Sequence, residues 1–529
     1  MEAQQTPTEP ESVPEEASEP SVEAKPVPPS GSIGNPKLKP IDRSRLLTRV
    51  INVESQVGPK HPVRAIWDLV GRMDLSRFLS AIRTRQGEKG RPATDPQLLV
   101  SVWIYAYSEG LSSAREIERQ MEYEPGLVWL CGGDAVNHHT LSDFRVDHKE
   151  ETDKLFQNLL AILDGQGLID LSQVMHDGTK VRANGGADTF RREKAIAGRL
   201  EQAKTLLKQM GDPREDNQQA RTRKQAAQQR AARERVEKLN AAMEEFEQIG
   251  EDKTAKEEEQ ARVSIVEPEA RKMKHGDHAI LPSYNVQLST ESSNKIIVGM
   301  HLSQSSSDAQ SLVAAVEEVE RNMGQYPGQV VADGGFTSKA NIVKMKEFEI
   351  DFIGSLPDLE KKRAAGAIAA GIDPAFGVTG FKIVGETGIL ECPAGKALEY
   401  RSQSTKRGNK YHVYRAQGSD CRCCEFQKQC CPKNPEKGRG VSVLIQEDPI
   451  VASFRKKMES EEAKKIYKKR GPVAEFPNAW IKDKIKLRKY RLRGWEKAGI
   501  ETMWACLAYN AKQWIRLAWR KEQAVACAS

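Results

Sequence analysis

Two short apolar runs that each stop at an acidic residue followed by glycine narrow the possible folds more than any other feature of this chain. Residues 168–175 lead into His176, Asp177 and Gly178, and residues 329–332 lead into Asp333, Gly334 and Gly335. Runs of this length, closed by turn residues, read as strands. Further strand-like runs occupy 284–290, 295–301 and 351–353, with helical spacing over 308–322 and a helix start at Ser338. The order is three strands, helix, strand, helix, strand, which predicts a mixed α/β sheet. Both aspartates then sit at the carboxyl ends of strands, where side chains from remote positions gather, so Asp177 and Asp333 can meet although 156 positions separate them. Two carboxylates at one place repel, and hard cations such as Mg2+ or Mn2+ relieve that cost with oxygen ligands. An Asp-Gly pair is also an ordinary turn, so the reading needs a third partner.

The strand pattern is interrupted and flanked by segments of different character. Residues 190–262 are highly charged and rich in Gln and Ala. Leu200, Leu206, Leu207 and Met210, then Val236, Leu239, Met243 and Phe246, recur at steps of three and four on either side of a break at Gly211 to Pro213. That spacing predicts a helical hairpin inserted between strands, an arm rather than a core. Upstream, apolar residues at helical spacing over 63–82 predict a helix. Further signals are a cap and first-turn pair at Asp95 and Pro96, a stop at Gly110, a start at Ser112 or Ser113, and a capping-box-like Thr140-Leu141-Ser142-Asp143. Several short helices with basic exposed residues suit DNA binding; a helical packing domain without DNA contact is the competing reading. Residues 1–35 hold seven acidic side chains against Lys25 alone, with much Pro and Ser, and cannot fold by themselves.

The formal charge of +7 is modest, but its distribution is not. From 451 to 529 there are 20 Lys/Arg against 8 Asp/Glu, interleaved with Trp480, Tyr490, Trp495 and Trp504. This suits a phosphate-binding surface, with a solvated basic helix pair as the alternative. The N-terminus lacks the basic and apolar blocks of a signal peptide, and the longest apolar run, around 98–107, is too short to span a bilayer, so a cytoplasmic protein without a membrane partner is expected. Thiols stay reduced there, and the cysteines clustered at 421–431 suggest metal rather than disulfides. Cys421 and Cys424 are spaced C-x-x-C; with Cys430 and the upstream Cys392 they make four thiolates suited to structural zinc, Zn2+. Doubled cysteines at 423/424 and 430/431 leave the ligand choice open, and a Cys-rich loop without metal is an equal alternative. Cys131, Cys506 and Cys527 read as core or surface thiols, and His138, His139 and His176 as polar contacts.

Several ordered motifs point further. Tyr467, Arg470, Glu475 and Lys482 fall in a Tyr, Arg, Glu, Lys arrangement. His176-Asp177-Gly178-Thr179-Lys180-Val181-Arg182-Ala183-Asn184 surrounds the first carboxylate, and Ala332-Asp333-Gly334-Gly335-Phe336 the second. Glu267-Pro268-Glu269-Ala270-Arg271 precedes Tyr284-Asn285, and Arg493-Gly494-Trp495-Glu496-Lys497 and Ala508-Tyr509-Asn510 follow. Together, from about residue 62 to residue 516, they resemble the DDE transposases of bacterial insertion sequences, in the branch with a Tyr-Arg-Glu-Lys signature, the insertion sequence eleven-eighty-two type. The resemblance implies a ribonuclease H-like core in which Asp177, Asp333 and Glu475 bind two Mg2+ (or Mn2+) ions for in-line phosphoryl transfer on DNA. It also implies DNA contacts by Tyr467, Arg470, Lys482 and Lys180, the Arg fork suiting two phosphate oxygens. The chain departs from the family after Glu475, where Phe476, Pro477, Asn478 and Ala479 replace an aromatic residue and Gly. Pro477 fits a first turn, which places Glu475 at the N-terminal end of its helix, with Lys482 about two turns in. Glu496 and Glu501 are rival ligands, ranked lower because their motif resembles packing helices.

The resulting architecture is an acidic leader (1–45), a helical N-terminal DNA-binding domain (46–160), a catalytic core in two parts (161–189 and 263–380), a charged helical insertion (190–262), a Cys-rich insertion (381–450) and C-terminal catalytic helices (451–529). The expected activity is cleavage at the terminal inverted repeats of a mobile element and strand transfer into target DNA. A homodimer assembled on DNA and associated with the nucleoid would carry it out, with the charged arm a candidate contact between subunits. A metal-dependent nuclease without joining activity and a catalytically inactive DNA-binding descendant are the alternatives.

Overall fold

A computed structural model of the chain describes residues 50–82, 92–210, 223–251, 261–356, 358–384, 389–406 and 408–522. The acidic leader, the break at Gly211 to Pro213 and Cys527 lie outside the described residues. By its contacts the chain divides into Met1–Ile51, of which only Val50 and Ile51 are described and both are exposed, and Asn52–Ser529, which holds every element below.

The described N-terminal part of that second unit is helical: Pro62–Gly71, Ser76–Ala81, Pro96–Ser108, Ala114–Gln120, Pro125–Leu130, His138–Asp147 and Lys149–Gly165. The Asp95-Pro96 signal acts as a cap, Asp95 accepting from the Gln97 N–H at 2.8 Å. Two readings are corrected. The 63–82 run is two helices, because Asp74 accepts from the Ser76 N–H and starts the second one. The helix expected from Thr140 begins at His138, where Asn137 caps it by accepting from the His139 N–H.

The strands are β1 (Gln173–Arg182), β2 (Phe190–Arg191), β3 (Val263–Ser264), β4 (Arg271–Lys274), β5 (Ile280–Glu291), β6 (Ile297–Ser303), β7 (Gln329–Ala332) and β8 (Asp351–Gly354). β2 and β3 pair only with each other. β1 lies in the middle of a mixed sheet, antiparallel to β5 and parallel to β7, which is parallel to β8; β4 and β6 pair antiparallel with different halves of β5. The expected strand end at Asp177 is a further correction. β1 continues to Arg182 because the long β5 partners it throughout, Asp177 opposing Leu288. On its other side, however, β1 pairs with β7 only as far as Met175, opposite Val331. One period further along the same parallel register places Asp177 level with Asp333.

Two insertions depart from this sheet. Glu193–Gln209 and Arg223–Glu251 are helices with a small core of their own, built from Ile196, Leu200, Ala203, Leu239, Ala242 and Phe246, and Glu245 pairs with Arg271 at the start of β4. The Cys-bearing segment forms a second, antiparallel sheet of β9 (Lys382–Val384), β10 (Ile389–Glu391), β11 (Ala397–Lys406), β12 (Asn409–Ala416) and β13 (Gly440–Gln446), in the order β13-β12-β11-β10-β9. Most of these strands were not legible in the sequence, because most β11 side chains are exposed and the apolar alternation is missing.

The Trp495–Trp514 helix joins the helical part to the sheet. Every residue from 500 to 511 is buried. Trp504 packs on Trp103 at 6.3 Å between ring centroids, and Asn510 reaches the backbone of β6, accepting from the Ile297 N–H at 3.0 Å and donating to its carbonyl at 2.8 Å. Replacing Asn510 by Leu leaves both backbone groups buried without a partner and is expected to cost about 3 kcal/mol in urea unfolding, against less than about 1 kcal/mol for the exposed Glu496→Ala. Equal losses would remove Asn510 as the link.

His176 provides a pH signature. It is fully buried, with Nε2 donating to Gln287 Oε1 and Nδ1 accepting from Ser289 Oγ, each at 3.0 Å, and burial lowers its pKa to about 4. The folded chain holds it neutral, while the unfolded chain protonates it below about 6.5, so stability falls as pH drops through the window from 6.5 to 4. Between pH 6.5 and 4.5 the wild type is expected to lose about 2 kcal/mol more unfolding free energy than His176→Gln. Parallel pH profiles would show that the imidazole is not the source.

Candidate functional site

The register that levels Asp177 with Asp333 brings two carboxylates to one edge of the sheet. Asp177 is mostly buried, with a side-chain exposure of 18%. Burial pushes its carboxyl up to about 6; Arg470 opposes that shift and the like charge of Asp333 adds to it. Arg470 Nη1 stands 3.6 Å from Asp177 Oδ1, and Asn478 Nδ2 donates to Asp177 Oδ2 at 3.0 Å. Asp333 sits just beyond β7, its Oδ1 accepting from the Gly335 N–H at 2.7 Å.

A third carboxylate, Asp308, was not singled out in the sequence. A Cβ built at Gly335 would lie 2.9 Å from Asp333 Oδ1 and 3.6 Å from Asp308 Oδ2, so these two acids flank the same glycine. Asp308 Oδ1 accepts from Asn285 Nδ2 at 2.7 Å and Gln287 Nε2 at 3.0 Å. It also lies 2.8 Å from where a Gly178 Cβ would stand, so a side chain at 178 would displace it. Asp308 precedes a helix across a single turn of 3-10 helix and carries no local pattern that separates it from a helix-starting residue.

The helix Arg470–Asp483 lies over β1, burying Val473 and Ala474 against Met175, Val331 and Ile353, with Tyr467 partly buried against the same group. Here the position expected for Glu475 is corrected. Pro477 lies inside the helix, not in its first turn, and Glu475 is the sixth of its 14 residues. Proline removes an N–H that would have bonded to the Val473 carbonyl, and Pro477 itself is buried. Glu475 itself is exposed, its Oε1 3.5 Å from where a Gly471 Cβ would lie. Lys482, half-buried, has a pKa lowered by burial, with Asp177 opposing the shift. Lys180 donates to the Lys274 carbonyl at 3.0 Å. Lys482, Arg182 and Lys180 all depress the pKa of His275, after burial, so these cations gather around His275, and Lys482 acts on Asp177 as well. Of the rival acids, Glu501 is fully buried and accepts from the Arg491 and Leu492 N–H groups, while Glu496 is an exposed partner 4.0 Å from Lys149.

Among the described residues, no three His, Cys, Asp or Glu side chains lie close enough together to hold a metal ion as they stand. Asp177 and Asp333 are brought together; Glu475 is on the adjoining helix, with its side chain exposed. In the second sheet, Cys392, Cys421, Cys424, Cys430 and Cys431 line one small cavity with Phe376, Leu398 and Phe426. The Lys396 N–H donates to Cys392 Sγ and the Arg439 N–H to Cys421 Sγ, each at 3.3 Å. Burial raises the Cys430 thiol to about 11, and neighbouring thiols add to the rise. No described helix is long and apolar enough to cross a membrane.

Residues 391–515 match the family model described as Transposase DDE domain, and residues 51–147 match Transposase domain (DUF772). No curated protein sequence matches the chain. A cryo-EM structure of the piggyBac transposase synaptic complex with hairpin DNA overlaps 86% of this chain and 74% of its own, at 8% identity and a TM-score of 0.30, a level that carries no argument about fold. The first of the two family matches contains Tyr467, Arg470, Glu475 and Lys482, the second spans the helices from Pro62 to Asp147, and together they support a transposase of the DDE family.

Proposed function

We propose that the chain is the transposase of a bacterial insertion sequence, binding the ends of its element and catalysing metal-dependent cleavage and strand transfer. The observation that carries the reading is the meeting of Asp177 and Asp333 beneath a helix that lies in the Transposase DDE domain match. The sheet order β6-β5-β1-β7-β8, with β1 antiparallel to β5 and parallel to β7, supports a ribonuclease H-like core. A buried carboxylate whose proton affinity is raised further by the charge of a second one fits a hard divalent cation, and we assign Asp177, Asp333 and Glu475 as the residues that would hold Mg2+ or Mn2+. Bound there, the two ions supply Lewis acidity toward the attacking oxygen and the leaving 3′-oxygen. The protein's own part is to orient and neutralise. Arg470 and Lys482 present positive charge beside Asp177, where a DNA phosphate would be cut, Lys180 adds a DNA contact further along β1, and Tyr467 braces the same helix. The helices of 46–160 form the DNA-binding domain, and a homodimer holds two element ends.

In the assay that tests this, labelled element-end DNA and Mg2+ are incubated with wild type, Asp177→Ala, Asp333→Ala and Glu475→Ala. Wild type is expected to cleave and join; each variant is expected to bind DNA with little change and to lose cleavage on the order of a hundredfold or more. Binding without cutting by wild type would leave only a DNA-binding protein, and cutting without joining would leave a nuclease.

For the second sheet we propose structural zinc on Cys392, Cys421, Cys424 and Cys430, supported by their shared cavity and by the two N–H groups that donate to sulfur. Purified protein is expected to carry about one equivalent of zinc by elemental analysis, and Cys421→Ser to lose it. Zinc-free wild type purified without chelator would rule this out.

A further inference from the structure

The inner ridge of the Arg470–Asp483 helix holds Asp177 with more than the charged residues of the signature. Arg470, Ala474, Asn478 and Lys482 follow at intervals of four and so share one face. Each meets β1 or its carboxylate: Arg470 by an ion pair, Ala474 by packing, Asn478 by a hydrogen bond and Lys482 by its charge. Asn478 is 7% exposed. Its Nδ2 donates to Asp177 Oδ2 at 3.0 Å and to the Ala474 carbonyl at 3.3 Å, while Arg470 Nη1 stands 3.6 Å from the other carboxylate oxygen. One helix therefore holds both oxygens of Asp177.

Each side of that hold leaves a buried polar atom without a hydrogen-bond partner, Asn478 Oδ1 and Arg470 Nη1. Such atoms are costly and uncommon, so an acceptor and a donor kept on either side of one carboxylate point to polar groups that meet them during function. We propose that Asn478 is a positioning residue for the proposed phosphoryl transfer: its amide fixes Asp177 Oδ2 to the helix and so sets the direction in which the carboxylate faces Asp333 and the metal. The inference rests on the transposase reading. Asparagine suits the position because it donates without adding charge; aspartate there would repel Asp177, and leucine would keep the volume while deleting the donor.

The test compares full-length wild type with Asn478→Leu, Asn478→Asp and Asn478→Gln in three measurements: single-turnover cleavage of element-end DNA, Mn2+ titration followed by electron paramagnetic resonance, and thermal unfolding. Asn478→Leu is expected to slow cleavage by roughly 10–100-fold and to raise the Mn2+ half-saturation by a similar factor, the range for lost partners of metal-binding carboxylates. Its DNA Kd should remain within about twofold of wild type, because the contact is to the carboxylate and not to DNA. Asn478→Asp should be no better, and Asn478→Gln, which retains the donor, should recover part of both signals. If Asn478→Leu cuts and titrates as wild type does, the positioning role is overturned while the transposase reading stands. A lowered melting temperature with an unchanged Mn2+ response in folded protein would also overturn it, leaving Asn478 a packing residue. A wild type that neither cuts nor binds Mn2+ removes the transposase reading and this inference with it.

Discussion

The structure depends on one helix being buried on all sides. Trp495–Trp514 has no solvent face from residue 500 to 511, so it must be enclosed by other elements, and those elements come from the N-terminal helices and from the sheet. The helical segment meets it through Trp103, and the sheet through the backbone of Ile297 and the Lys295 carbonyl, which accepts from the Tyr509 hydroxyl at 2.8 Å. A single apolar cluster therefore runs from Val57 through the strands to Trp519. Burying large side chains contributes roughly 1.5–3 kcal/mol apiece, so this helix fixes where the sheet lies relative to the helices ahead of it.

With the sheet fixed, local electrostatics decide the chemistry its edge can support. Asp177 sits where β1 has lost its partner on the β7 side but remains paired with β5, so it is rigid in backbone and open at one flank. Burial and Asp333 make its charge expensive, and Arg470 and Asn478 make it tolerable. The same arrangement orders the row behind it, where His176, Gln287, Asn285 and Asp308 form a hydrogen-bonded set inside the sheet face. A polar network this well buried resists rearrangement, which suits a site that must hold two like charges at a fixed separation.

Much of this was legible as pattern. The strand runs at 284–290, 295–301 and 329–332, the Ser338 helix start and the Asp95-Pro96 cap all correspond to elements, because short-range periodicity and capping chemistry are written in adjacent residues. That Asp177 and Asp333 can meet was legible too, from strand order. Its stated reason needed amendment, since β1 outruns Asp177 and only its β7 side ends there. Less was legible where residues act on distant partners. Asn478 looked like a departure from a motif and Asp308 like a helix start, and nothing in either neighbourhood announces the carboxylate or glycines they meet. The antiparallel sheet from 382 to 446 was hidden for the opposite reason, that its strands bury too little to alternate.

By itself the sequence determined the class of many elements outside the 382–446 sheet, the acidic pair and the ordered motifs around it, because hydrophobic period, caps and turn residues act over a few positions. Only the tertiary structure decided that Glu475 lies exposed in mid-helix while Asn478 faces inward, and that Asp308 stands beside Gly335. Helix rotation about its own axis is set by which face packs, and here Val473 and Ala474 pack on Met175, Val331 and Ile353. A difference of three positions along that helix then separates a side chain in water from one that holds a buried carboxylate.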